Sequence, residues 1–200
     1  MKSTDAPTEP KRAYRQTTRA ATAEANAQRV VEAFRLRLEQ LWFDEIRLED
    51  VAADSGVTVQ TVIRRFVGKD GLLDAAVDAM ATQIKEVRAT SPGDIPRTIE
   101  ALLADYEVTG DLVIRVLAQE ERQPALGRMT AKGRAEHRDW IAANFAPWLD
   151  PLPEDDVRRR LDALIVATDV YIWKLIRRDM GRPLDELRAL MRRLIDAALA

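Results

Sequence analysis

The stretch Leu48-Glu49-Asp50-Val51-Ala52-Ala53-Asp54-Ser55-Gly56-Val57-Thr58-Val59-Gln60-Thr61-Val62-Ile63-Arg64-Arg65-Phe66 carries the spacing of a helix-turn-helix. Leu48, Val51 and Ala52 line one side of a short helix, and Gly56 follows where a left-handed residue would end it. Thr58 is an N-cap type, and Val59, Val62 and Phe66 recur at intervals of three and four as the inward stripe of a second helix, with Gly68 expected as its stop. Ala52 is small enough for close helix approach, while Val57 and Val62 fit the wedge between the helices. The second helix is left with a wet face. Thr58, Gln60 and Thr61 offer hydrogen-bonding groups near its amino end, where unpaired backbone N–H groups favour a phosphate. The Gln60 amide matches the adenine edge, and Arg64, Arg65 and Lys69 suit the DNA backbone. An Arg pair is equally what a solvated helix face carries, so residue types alone leave both readings open.

Working outward, Val30, Val31, Phe34, Leu38, Leu41 and Trp42 predict a helix over 24–42. Leu73, Ala76, Val77, Met80, Ile84 and Val87 predict another from Lys69 or Asp70 until Ser91-Pro92-Gly93-Asp94 breaks it. Further helices are expected at 95–108, 112–121, 124–147, 154–179 and 184–199, separated by Gly110, Pro124, Pro151-Leu152-Pro153 and Gly181-Arg182-Pro183. The expectation is an all-α chain of about nine helices, with no strand alternation and no repeat.

Composition agrees with that reading. Of 200 residues, 46% are apolar and 32% charged, while 8 Gly and 9 Pro are too few for a turn-rich β fold. The absence of Cys excludes disulfides and thiolate metal sites and suits a reducing compartment. The opening residues lack a secretory h-region, and the run Leu161 to Ile176 is interrupted by Asp162, Asp169 and Lys174, so no membrane contact and a cytoplasmic location are expected. Residues 1–23 hold five basic groups against two acidic, the pattern of an arm that follows phosphates or of a solvated tail.

Catalytic patterns are missing from the sequence. His137 has no Cys or second His at ligand spacing, none of Ser3, Ser55 and Ser91 lies in a Gly-x-Ser-x-Gly elbow, and Gly68-Lys69 lacks the upstream glycine of a phosphate loop. The acidic pair Asp155-Asp156 follows Pro153 in a first helical turn, where it complements the helix dipole. No metal, cofactor or enzymatic activity is expected.

Apolar residues between Leu161 and Ile176 extend beyond one stripe, and Leu187, Leu190, Met191, Leu194 and Ile195 continue the pattern at the carboxyl end. A second copy is the simplest cover, giving a homodimer with Leu161, Ile165, Ile172, Ile176, Leu187, Met191, Leu194 and Ile195 at an isologous four-helix interface. A wholly intrachain core is the alternative.

Over residues 29–75 the chain resembles the tetracycline-repressor (TetR) family of transcriptional regulators. The likeness is carried by Gly56-Val57-Thr58, Thr61-Val62-Ile63-Arg64-Arg65-Phe66 and Lys69 before Leu72-Leu73. Glu121-Arg122-Gln123-Pro124-Ala125-Leu126 and Phe145-Ala146-Pro147-Trp148-Leu149 resemble phrases of one branch. The resemblance implies a flexible basic arm at 1–23, a helix-turn-helix DNA-binding domain at 24–70 and an effector-binding and dimerisation domain at 71–200. It puts DNA contacts on Thr58, Val59, Gln60, Thr61 and Lys69. Ile63 replaces the family's first tyrosine, Arg65 stands at its second aromatic, Trp42 at a usual glycine, and Arg47 at a usual capping threonine. Losing that cap costs about 1 kcal/mol unless Arg47 recovers it on a phosphate.

The same resemblance implies a small, largely apolar effector in the carboxyl region, lined by Tyr106, Trp140, Phe145, Tyr171 and Trp173, with Arg115, His137 and Asp169 as polar anchors. Core filling is the plain alternative for each ring. The expected function is a ligand-responsive regulator, a repressor by family habit, whose dimer grips a palindromic double-stranded DNA operator. The rival is a helical dimer that binds a small molecule or turns it over, with a degenerate helix-turn-helix that does not meet DNA.

Overall fold

The computed structural model describes the backbone of residues 11–200 and the side chains of residues 20–200. All regular structure among the described residues is helical. In chain order it comprises α1 (Lys11–Leu38), a 3-10 turn (Phe43–Glu45), α2 (Leu48–Ser55), α3 (Val59–Phe66), α4 (Lys69–Val87), α5 (Ile95–Leu117) and α6 (Pro124–Asn144). Then follow α7 (Ala146–Leu149), α8 (Glu154–Thr168), α9 (Val170–Lys174), a π-helical turn (Leu175–Asp179) and α10 (Leu184–Leu199). No helix among the described residues is long and apolar enough to cross a membrane.

Helix α1 reaches back to Lys11, so residues 11–23 of the expected flexible arm are helical. Ala13, Ala20, Ala21 and Ala23 are strong helix formers there, and residues 1–10 lie outside the description. The two helices expected at 95–108 and 112–121 are one, α5, because Gly110 does not break it. A Cβ at Gly110 would lie 2.5 Å from the Trp173 ring. The glycine admits the indole against the helix backbone, at about 1 kcal/mol of lost helix propensity.

Conversely, the single helix expected over 154–179 is interrupted. Asp169 is extended (φ −69°, ψ 148°), and its carboxylate accepts from the Tyr171 N–H at 2.8 Å, so it caps α9. Likewise α6 stops at Asn144, and Pro147 stands in the first turn of α7.

The chain forms two compact units. One combines the described part of Met1–Arg37 with Asp44–Ala76, and the other combines Leu38–Phe43 with Val77–Ala200. In the first, Val30, Phe34, Val51, Val62, Leu72 and Leu73 are buried as the core. In the larger unit α8 packs on α10, α9 on α5, and α6 on both α5 and α8. Leu102, Leu103, Ile141, Phe145, Leu164 and Trp173 fill its centre.

That core corrects part of the expected dimer interface. Leu187, Met191 and Ile195 are 0% exposed, and Leu161 and Ile176 are buried too, so the chain's own helices leave them almost no surface for a second copy. The helices cross so that one face of α10 turns inward onto α8 and α5. Ile165 and Ile172 remain half-buried and Leu194 exposed, beside exposed Val166, Tyr171 and Leu175.

Candidate functional site

The α2–α3 pair is built from its turn outward. Gly56 adopts the left-handed conformation (φ 69°, ψ 32°), and its N–H reaches the Ala52 and Ala53 carbonyls. The Val57 N–H donates to the Ala52 carbonyl at 3.0 Å. The Ser55 hydroxyl donates to the Val51 carbonyl at 2.7 Å, and Arg29 Nε of α1 donates to the Ser55 carbonyl at 3.2 Å. Thr58 caps α3: its Oγ1 accepts from the Thr61 N–H at 3.3 Å and lies 2.9 Å from the Thr61 hydroxyl. Val62 alone of the eight residues of α3 is buried.

At its other end α3 departs from expectation. The left-handed stop is Val67 (φ 60°, ψ 27°), with Gly68 following at φ 110°. Gly71 then lets α4 start against α3, since a Cβ there would meet the Phe66 carbonyl oxygen at 1.9 Å.

The structure separates the cations of this unit by whether the chain already satisfies them. Arg35 pairs with Glu32 at 2.7 Å, and Arg37 with Asp54 at 2.7 Å and Asp50 at 3.5 Å. Arg29 Nη2 donates to Asn26 at 2.8 Å. Lys69 is also engaged: its Nζ donates to the Ile46 carbonyl at 2.9 Å, and burial lowers its pKa. Arg65 pairs with Glu24 at 3.0 Å, but both side chains are more than half exposed, so the pair is worth at most about 1 kcal/mol and can exchange for a phosphate.

Arg64 and Arg47 are exposed and have no side-chain partner among the described residues. Arg47 occupies the N-cap position of α2 with no side-chain cap bond. Gln60 is exposed with its amide unengaged among the described residues, while Val59 and Thr61 are half-buried. Gln60 and Arg64 lie four residues apart on one helix and share a face.

In the larger unit, Tyr106, His137 and Trp140 come together around a residue that sequence reading passed over, with Trp173 beside Tyr106 at 6.2 Å between ring centres. Arg88 Nε donates to Asp105 at 2.6 Å, and its guanidinium lies 5.2 Å from the ring centres of both Tyr106 and Trp140. Arg88 Nη1, which can only donate, is 3.2 Å from His137 Nδ1. The imidazole proton therefore sits on Nε2, 3.1 Å from the Thr168 hydroxyl. Burial first, then the charge of Arg88, push His137 down to about 3, so the ring is neutral. The Tyr106 hydroxyl donates at 3.0 Å to the Thr168 carbonyl, which the break at Asp169 frees from helical pairing, and burial raises its pKa. Asp105 also accepts from the Thr109 hydroxyl at 2.9 Å.

The side chains of the other expected effector residues make none of these contacts. Phe145 is buried against Trp148 at 6.0 Å, Tyr171 is 55% exposed, and Asp169 is engaged as a helix cap. Arg115 is half-buried and gives its carbonyl to Gln119. A neighbouring set binds α5 to α9 and the π-helical turn after it: Glu107 accepts from Arg177 at 2.9 Å and from Trp173 Nε1 at 2.8 Å, which hold its carboxyl at about 2. Asp105 carried a readable signal. It lies among Leu102, Leu103 and Tyr106 on an apolar helix face, where a charge needs a partner. Nothing local in the sequence pointed to Arg88 or Thr168.

No family model matches the chain, and no curated protein matches it. Solved structures do. A transcriptional regulator from Rhodococcus sp. Rha1 aligns with a TM-score of 0.63 at 19% identity, covering 86% of this chain and 95% of the other. A transcriptional regulator from Pseudomonas aeruginosa PAO1 aligns at 0.68 and 16%, covering 86% and 89%. A TetR-family transcriptional regulator from Mesorhizobium loti aligns at 0.61 and 17%, covering 88% and 96%. At these identities the shared property is the fold, and it is the fold implied by the resemblance of residues 29–75.

Proposed function

We propose that this chain is a DNA-binding transcriptional regulator that meets its operator through α3. The observation that carries the reading is a surplus: α3 is held by Val62 and its two ends, yet displays Gln60 and Arg64 with no partner for either side chain among the described residues. In the major groove the Gln60 amide pairs with an adenine edge, while Arg64, Arg47 and, on leaving Glu24, Arg65 neutralise phosphates. Thr58, Val59 and Thr61 flank the base-reading position. Lys69 acts through the backbone near Ile46, whose carbonyl it holds. The fold shared with three transcriptional regulators supports the same reading.

The active form is a homodimer. Val166, Tyr171, Leu175 and Leu194, with half-buried Ile165 and Ile172, supply the apolar surface that a two-fold mate would cover. Two α3 helices then lie about 34–36 Å apart, or a multiple, on a palindromic operator. The residues around Arg88 and His137 hold a small, largely apolar effector, which acts as an inducer only if it favours the conformer with the wrong separation. Repression, release by that effector and a cytoplasmic site of action complete the proposal.

Footprinting on DNA flanking the chain's own gene, at several salt concentrations, tests it. A protected palindrome with a steep salt dependence is expected, and binding that ignores sequence would overturn the reading. Gln60→Ala should relax preference at one base step, whereas Arg64→Ala should weaken all sequences about equally.

A further inference from the structure

Two apolar side chains beside the candidate base-reading face leave much of their surface uncovered among the described residues. Ile63 is 49% exposed and Val67 90% exposed. They are four residues apart, and the Val67 N–H donates to the Ile63 carbonyl at 2.8 Å. Neither belongs to the core, which α3 enters through Val62.

Val67 is also the one non-glycine residue with positive φ among the described residues. A β-branched side chain at φ 60° is strained, and the position is where glycine is usually found. Space is no constraint on the side chain at this turn, which leaves it almost wholly in solvent. A strained, solvated valine contributes nothing to folding that glycine would not supply better, which makes a contact outside the chain its physical rationale.

The neighbours define the partner. Exposed Arg64, with no partner among the described residues, lies between Ile63 and Val67 in sequence, and exposed Arg65 follows it. The surface therefore suits a polyanion that also carries small apolar groups. Duplex DNA offers one such group in the major groove, the C5-methyl of thymine.

We infer that Ile63 and Val67 form an apolar reading surface for thymine C5-methyl groups, giving this chain a preference for A·T pairs beside the base read by Gln60. The inference rests on the proposed DNA-binding function.

The test uses the full chain and duplexes selected by it from a random pool. Each thymine of the selected site is replaced in turn by uracil, which lacks only the methyl group. At one or two steps per half-site the replacement should weaken wild-type binding roughly four-fold, the effect of one methyl group taken from water. Ile63→Ala should lose the thymine-over-uracil preference at one of these steps. Val67→Gly should weaken thymine-site binding while raising Tm by about 2–4 °C as the backbone strain is relieved.

If no duplex is selected, the DNA-binding reading fails and this inference with it. If a site is selected but uracil is tolerated everywhere, or Ile63→Ala keeps the full discrimination, the methyl-reading surface is wrong while the regulator stands. Higher Tm in Val67→Gly with unchanged affinity would remove Val67 from the surface.

Discussion

Helices α3 and α5 solve opposite problems. One of eight residues in α3 is buried, against eleven of 23 in α5. Within α5 the inward polar groups are consumed: Asp105 by Arg88 and Thr109, Glu107 by Arg177 and Trp173, Tyr106 by the Thr168 carbonyl. On α3 the wet side is left unengaged among the described residues at Gln60 and Arg64, and apolar Ile63 is 49% exposed. A helix whose inward donors and acceptors are matched within the chain serves the fold. One that is anchored at both ends yet unmatched along its outer side is available to a partner.

That contrast can be broken at several points, beginning with the largest effect. Trp173→Ala empties the centre of the larger unit, where the indole lies against Gly110 and its N–H on Glu107, and should cost about 3–5 kcal/mol by chemical denaturation. Asp105→Ala strands the Arg88 guanidinium with 11% of its side chain exposed and should cost a comparable amount, about 3–5 kcal/mol. Stability unchanged in either variant would mean that the pairing of α5 is not what holds the unit.

His137 sharpens the comparison through pH. Its folded pKa, at about 3, lies below the ordinary value of 6.5, so the neutral ring stabilises the fold fully above pH 6.5 and this contribution is lost as pH falls towards 3. Between pH 7 and pH 5 the loss should be about 2 kcal/mol, and His137→Gln should lack that slope. Glu107, depressed to about 2, acts in a lower window: its contribution is present above pH 4.5 and fades below it. A wild-type stability that is flat from pH 7 to pH 5 would contradict the half-buried, neutral imidazole.

The smallest effects belong to α3. Thr58→Ala removes its cap and should cost about 1 kcal/mol, measured as the unfolding of the amino-terminal unit. Gln60→Ala and Arg64→Ala should change stability by less than about 0.5 kcal/mol while altering DNA binding. Substantial destabilisation by either would show that α3's outer side is engaged within the chain after all.

Much of the candidate interface was legible because it is local. Gly56, Thr58 and Val62 take the conformations and burial that their types and spacing predict. Where reading failed, a residue's role came from a distant neighbour. Gly110 reads as a helix breaker until Trp173 is seen against it, 63 positions along the chain. Asp169 reads as one polar residue in an apolar run, and Leu187, Met191 and Ile195 read as available to a second copy until α5 and α8 close over them.

By itself the sequence determined an all-helical chain, the turn between α2 and α3, and the chemistry displayed around Gln60 and Arg64, since periodicity, capping and left-handed glycine act within a few residues. Tertiary structure alone decided that Arg88 meets Asp105 and His137, that Arg65 is held by Glu24 while Arg64 is not, and that α10 turns its strongest apolar face inward. Those outcomes depend on which helix faces come together. Pairing of charges and closure of a core are set by distances between residues far apart in the chain, which no local pattern encodes.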